Sequence, residues 1–263
     1  MKKTLLIAAA ALAAGVISTQ AQVYSQNIVG YINTVVPAGG YNLVANQLVN
    51  GSDVNHTNNN INTAFSGLLS DPNAINNTVL FLWNGAGYNV YQYFTGSDAD
   101  NNFFTSGSVN GFYDAGGTLQ TASFNQGAGS FLYNPSGVIV TNTFVGNVPV
   151  GTNVLVINSG YNLFSIVEPI STNLESSVVG FPGTSDPNAI NNDVLFKWNG
   201  SGYNVYQYFT GSDADSNFFT SGSVNGFYDA GGTLQNSAPL VGQGFFILHT
   251  GSSVNWTNTF VIP

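Results

Sequence analysis

Two short runs carry the residue types best suited to chemistry. Asp98-Ala99-Asp100-Asn101-Asn102 and Asp213-Ala214-Asp215-Ser216-Asn217 set oxygen-bearing side chains at alternate positions, each run preceded by Gly-Ser. Hard cations bind through carboxylate and amide oxygens, so Asp98, Asp100 and Asn102, with Asp213, Asp215 and Asn217, are candidate calcium ligands. The EF-hand pattern itself fails: Phe103 and Phe218 stand where its glycine belongs, and no Glu closes the loop at the twelfth position. Another geometry would recruit Asp114 or Asp229. The competing reading is a turn whose Asp and Asn side chains cap their own backbone.

A second chemistry is stacking. Trp83, Tyr91 and Tyr93, repeated as Trp198, Tyr206 and Tyr208, offer flat apolar faces for sugar rings; equally, they are ordinary β-formers filling a sheet. Catalysis lacks its usual parts. The chain has no cysteine, no arginine and no Gly-x-Ser-x-Gly elbow, and neither His56 nor His249 sits in a motif. Glu168 or Glu175 with an aspartate would suit a glycosidase, but nothing selects such a pair, so the chain reads as non-catalytic. Asn-x-Ser/Thr triplets at Asn50, Asn76, Asn199 and Asn255, and Asp53-Val54-Asn55-His56-Thr57, are what chance yields in so Asn-, Ser- and Thr-rich a chain.

The candidates lie within one block, 70–120, which returns 115 residues later as 185–235. The copies differ only at Thr78/Asp193, Leu82/Lys197, Ala86/Ser201 and Asn101/Ser216. Alternating residues on either side of Asn84-Gly85 predict two strands joined by a turn. Positions 78, 82 and 86 share one parity, and a face that accepts Leu82 in one copy and Lys197 in the other is expected to be wet, with Val79, Phe81 and Trp83 facing the core.

Further strands are expected over 27–36, 41–48, 129–133 and 138–145, matched by 152–157, 161–166, 244–248 and 254–261. Gly40-Tyr41-Asn42-Leu43 and Gly160-Tyr161-Asn162-Leu163 anchor the match, and His249 aligns with Asn134. The first half is longer near 50–62, an Asn-rich loop where insertion is tolerated. One or two helical turns are possible over 61–69 and 173–179. Short strands with Gly and Asn turns predict an all-β chain: two tandem β-sandwich or jelly-roll-like domains from an internal duplication, 22–146 and 147–263. One composite sandwich built by both halves is the alternative.

Lys2-Lys3, the apolar run 5–16 and Thr19-Gln20-Ala21 form an export signal over 1–21. Without it Lys197 is the only strong base against twelve acids, a balance unsuited to nucleic acid or anionic lipid. No later apolar run is long enough to span a bilayer. The expected location is extracellular or at the cell surface, with the periplasm as another possibility.

Open sheet edges are usually guarded by lysine, charge or proline, and this chain has few of these. Ile28-Val29-Gly30-Tyr31 corresponds to Val145-Gly146-Asn147 at the joint between the halves. One molecule's end is therefore expected to dock on the next molecule's start, repeating the internal joint head to tail.

Ser25-Gln26-Asn27-Ile28-Val29-Gly30-Tyr31-Ile32-Asn33, Val36-Pro37-Ala38-Gly39, Asn42-Leu43-Val44-Ala45-Asn46-Gln47-Leu48 and the later Trp-Asn-Gly-x-Gly-Tyr resemble a group of uncharacterised exported proteins of Verrucomicrobia over most of the mature chain. The resemblance implies export, the repeat plan and a Gram-negative type envelope, and carries no activity or site residues. The leading expectation is a structural or adhesive protein whose partner is itself. The other is a secreted carbohydrate-binding module, with glycans as partner and calcium as its one possible cofactor.

Overall fold

A computed structural model describes residues 28–49 and 59–261. The expected export signal, His56 and the triplets at Asn50 and Asn55 lie outside the described residues. The first half contributes β1 (Val29–Val36), β2 (Gly40–Ala45), α1 (Ile61–Ala64), β3 (Val79–Trp83), β4 (Tyr88–Phe94), α2 (Gly96–Phe103), β5 (Gly111–Tyr113), β6 (Gly129–Asn134) and β7 (Val140–Asn147). The second contributes β8 (Gly151–Ile157), β9 (Gly160–Phe164), β10 (Val194–Trp198), β11 (Tyr203–Phe209), α3 (Gly211–Phe218), β12 (Gly226–Tyr228), β13 (Phe245–His249) and β14 (Val254–Phe260).

Both halves fold to one plan, all-β as expected. A five-stranded antiparallel sheet, ordered β2-β6-β3-β4-β5 or β9-β13-β10-β11-β12, is covered on one face by a two-stranded ribbon, β1-β7 or β8-β14. The repeated block supplies the central hairpin. Trp83 pairs with Tyr88, and Asn84 closes the loop by accepting through Oδ1 from the amides of Ala86 and Gly87. Gly85 takes φ +95° there, a conformation open to glycine at no steric cost. Among the described residues no helix is long and apolar enough to cross a membrane.

The facing of the hairpin is the reverse of the expectation. Thr78, Leu80 and Leu82 are buried toward their own half's core. Phe81 and Trp83 project from the other face and pack against the second half. Both faces of the sheet are covered, so parity alone could not distinguish inside from outside. Lys197 is tolerated where the first half has Leu82 because it lies at the rim of the core: its stem is half-buried while Nζ donates to the carbonyls of Asn236 and Ala238.

The halves meet about an approximate two-fold axis. Trp83 packs edge-on against Phe246 at 5.3 Å, and its repeat, Trp198, packs edge-on against Phe131 at 5.1 Å. The backbone repeats the relation: Ala45 N donates to Gly242 O at 2.9 Å, and Ser165 N to Gly127 O at 2.8 Å. Leu43, Phe131, Leu163 and Phe246 form a buried cluster between the sheets, and burying such side chains contributes ~1.5–3 kcal/mol each. Gln47 fastens the joint, donating to the carbonyls of Ile166 and Glu168 and accepting from Gly242 N. Each half thus has its own core and shares a third apolar layer, combining features of the tandem and composite arrangements.

Candidate functional site

The six candidate calcium ligands do not converge. The runs expected as loops are the helices α2 and α3, capped at their N-termini by Thr95 and Thr210. A helix turns about 100° per residue, so Asp98 and Asp100 point in different directions. Asp98 receives hydroxyl bonds from Ser70 at 2.5 Å and Thr95 at 2.8 Å. Asp100 accepts from Thr105 Oγ1 and from the amides of Gly107 and Ser108; hydrogen bonding, led by the Ser108 side chain, holds it below the usual carboxylate range. Asn102 donates to Pro72 O. Asp213, Asp215 and Asn217 repeat the scheme on Ser185, on Thr220, Gly222 and Ser223, and on Pro187. Among the described residues no three His, Cys, Asp or Glu side chains are grouped to hold a metal ion. The oxygens tie down the two ends of a short helix, close to the capping alternative.

Nor do the six aromatic candidates share a surface. Tyr91 is buried in the first core, and Tyr93 packs there edge-on to Phe112. Tyr206 packs against the second core, and Tyr208 lies within it against Phe181 and Phe227. Trp83 and Trp198 emerge from the opposite sheet faces into the joint. Tyr88 and Tyr203 also approach the two-fold; burial raises the hydroxyl pKa of Tyr203, and Tyr88 adds to the effect.

Two ionisable groupings are interior. His249 Nδ1 lies 2.8 Å from Asp193 Oδ2, and its Nε2 lies 2.9 Å from Ser252 O. Each ring nitrogen thus meets one oxygen. Asp193 is further held by the amides of Thr184 and Thr250. The pair is sealed from solvent, so no substrate reaches it. The first half has Thr78 and Asn134 at these positions, accepting from Leu69 N and donating to Pro37 O and Val138 O. The sequence contained the signal, since both members change together between copies. Glu168, 3% exposed, accepts from Asn153 and Asn258; burial pushes its carboxyl up. Glu175 accepts from Ser237 Oγ. Both glutamates are thus held by neutral side-chain donors.

Surface features are more open to partners. Val148 N donates to Ile28 O, so by antiparallel alternation the amides of Val29, Tyr31, Asn33 and Val35 point away from β7. Asn42 takes the carbonyl of Val35, and nothing among the described residues pairs with Val29, Tyr31 or Asn33 along that edge. Val29 and Tyr31 are also exposed as side chains, Tyr31 at 72%. Phe104 and Phe219 end α2 and α3 in left-handed backbone, 94% and 95% exposed. Two clefts flank the two-fold, one of about 450 Å³ beside Trp83 and Tyr161, the other of about 240 Å³ beside Asn42 and Leu240.

No family model, curated protein or solved structure matches the chain. Its surface chemistry therefore carries the functional reading, and that surface offers a strand edge unpaired among the described residues and a cleft with no charged lining residue.

Proposed function

We propose that this is a non-catalytic exported protein of structural or adhesive type that works by pairing with copies of itself at the free edge of β1. The observation that carries the reading is the run Val29-Gly30-Tyr31-Ile32-Asn33, an uncharged edge strand whose outward amides at Val29, Tyr31 and Asn33 have no partner among the described residues. Unguarded edges of this kind template strand addition. A second copy is the fitting occupant because β1 is uncharged and already accepts an equally uncharged antiparallel neighbour, β7, on its other edge: Gly30 lies opposite Gly146, with Tyr31 opposite Val145. Each new backbone hydrogen bond contributes ~0.5–1.5 kcal/mol net, and Val29 and Tyr31 add apolar contact.

The head-to-tail scheme changes in one respect. The internal joint is two-fold, and both of its equivalent contacts are occupied within the chain, so it closes and cannot be repeated outward. Assembly falls instead to the ribbons. The β8–β14 ribbon is also two-stranded, so each half brings an edge, and β1 of one molecule pairing with β8 of the next links molecules into chains.

Deleting 22–36 would test this poorly, because Ile32 and Val36 belong to the first core. Tyr31→Lys places a charge on the edge without touching the core. Oligomers of the chain from Gln22 should dissociate while the melting temperature holds, as expected for an exposed substitution. Oligomers unchanged by Tyr31→Lys would refute the edge.

A further inference from the structure

The larger cleft has the chemistry of a saccharide site. It lies between the hairpin end 83–85, the loop 125–128 and the β8–β9 corner. Its walls include two aromatic faces, Trp83 and the half-exposed Tyr161. No lining residue is charged. Asn84 and Asn162 are committed to their own turns. By contrast, no hydrogen bond among the described residues engages the side chains of Asn158 and Ser159, and Asn125 Oδ1 is sealed from solvent with no donor. An acceptor left in that state costs ~1–3 kcal/mol. Turning the Asn125 amide toward the cleft would present it to a ligand hydroxyl.

The other half supplies an internal control. Gly127 and Gly242 make the equivalent backbone contact across the two-fold, which puts Leu240-Val241 in the place of Asn125-Gln126. Leu240 is 67% exposed there. The cleft beside it, at about 240 Å³, falls below the ~300–1,000 Å³ usual for ligand pockets, whereas about 450 Å³ falls within it. One loop position therefore carries amides beside a roomy aromatic cleft and aliphatic residues beside a small one.

We infer that the cleft of Trp83, Asn125, Gln126, Asn158, Ser159 and Tyr161 binds an uncharged sugar unit of a glycan, its apolar ring face on an aromatic side chain and its hydroxyls on the amides. Aromatic faces supply apolar contact; uncharged amides donate and accept, matching hydroxyls that do both. Charged sugars are disfavoured, since the cleft holds no cation to meet a carboxylate or sulfate.

The test is calorimetric titration of neutral gluco-, manno-, xylo- and galacto-oligosaccharides into the chain from Gln22, using the Tyr31→Lys form so that edge pairing and sugar binding are read separately. Asn125→Leu with Gln126→Val imports a loop that the fold already accepts in its other half. At least one series should bind, with a tenfold or greater loss in the double variant and in Trp83→Ala, and no change in Leu240→Ala. No binding at millimolar sugar, or binding that survives the double variant, overturns the site.

Discussion

The first half seals one position between its sheet and ribbon with Thr78 and Asn134, and the second half seals it with Asp193 and His249. The same backbone thus accepts either a Thr–Asn plug or an Asp–His plug. The surroundings explain why. In each half the interior groups are backbone amides and carbonyls needing partners, and either pair satisfies them. The scaffold of the block is held nearly identical while the polar plug and the cleft loops diverge.

Removing one member of the Asp193–His249 pair gives the largest expected effect. Asp193→Thr takes away the buried partner of His249 Nδ1 and the acceptor of the Thr184 and Thr250 amides and should cost ~3–5 kcal/mol in denaturant unfolding. Adding His249→Asn imports the first half's pair and should restore most of that loss. A double variant no better than the sum of its parts would show that the halves are not interchangeable there. Leu80→Ala and Leu195→Ala sharpen the comparison on the conserved scaffold. Both side chains are fully buried at equivalent positions, so each should cost ~2–5 kcal/mol, and unequal losses would mark one core as the better packed.

Glu168, which aligns with Leu48 in the first half, gives a pH signature. Its folded pKa is raised, so its contribution is fully present below the unfolded value of ~4.3 and is lost as pH rises through the folded value. Glu168→Gln should therefore be more stable than the parent at pH 8, with the difference disappearing by pH 4. Asp100 and Asp215, lowered by hydrogen bonding, act in the opposite sense: what they add is present at neutral pH and lost in acid. The smallest effect is expected at Phe104 and Phe219. Glycine relieves the left-handed backbone strain there, and each Phe→Gly change should raise stability by roughly 1 kcal/mol.

The duplicated plan and most strands were legible because alternation and Gly or Asn turns persist in both copies. The three-residue strands β5 and β12 were too short to show a period. Sheet facing was illegible for a physical reason: Leu80 and Phe81 are both covered, one by a ribbon and the other by the second half, so neither parity is polar. α2 and α3 lack an apolar period, and their one signal was the cap, Thr95 with Asp98 three residues on, repeated at Thr210 and Asp213. The alternate spacing of Asp98, Asp100 and Asn102 suggested a common site only if the segment was extended. The larger cleft was hidden because it is assembled from three separated segments across the two-fold.

The most direct measurement is molar mass by light scattering across a concentration series of the chain from Gln22, read beside Tyr31→Lys at each concentration. Edge pairing predicts a mass that climbs with concentration in the parent and stays at the monomer in the variant. A parent that remains monomeric throughout, or a variant that climbs with it, would contradict assembly through β1.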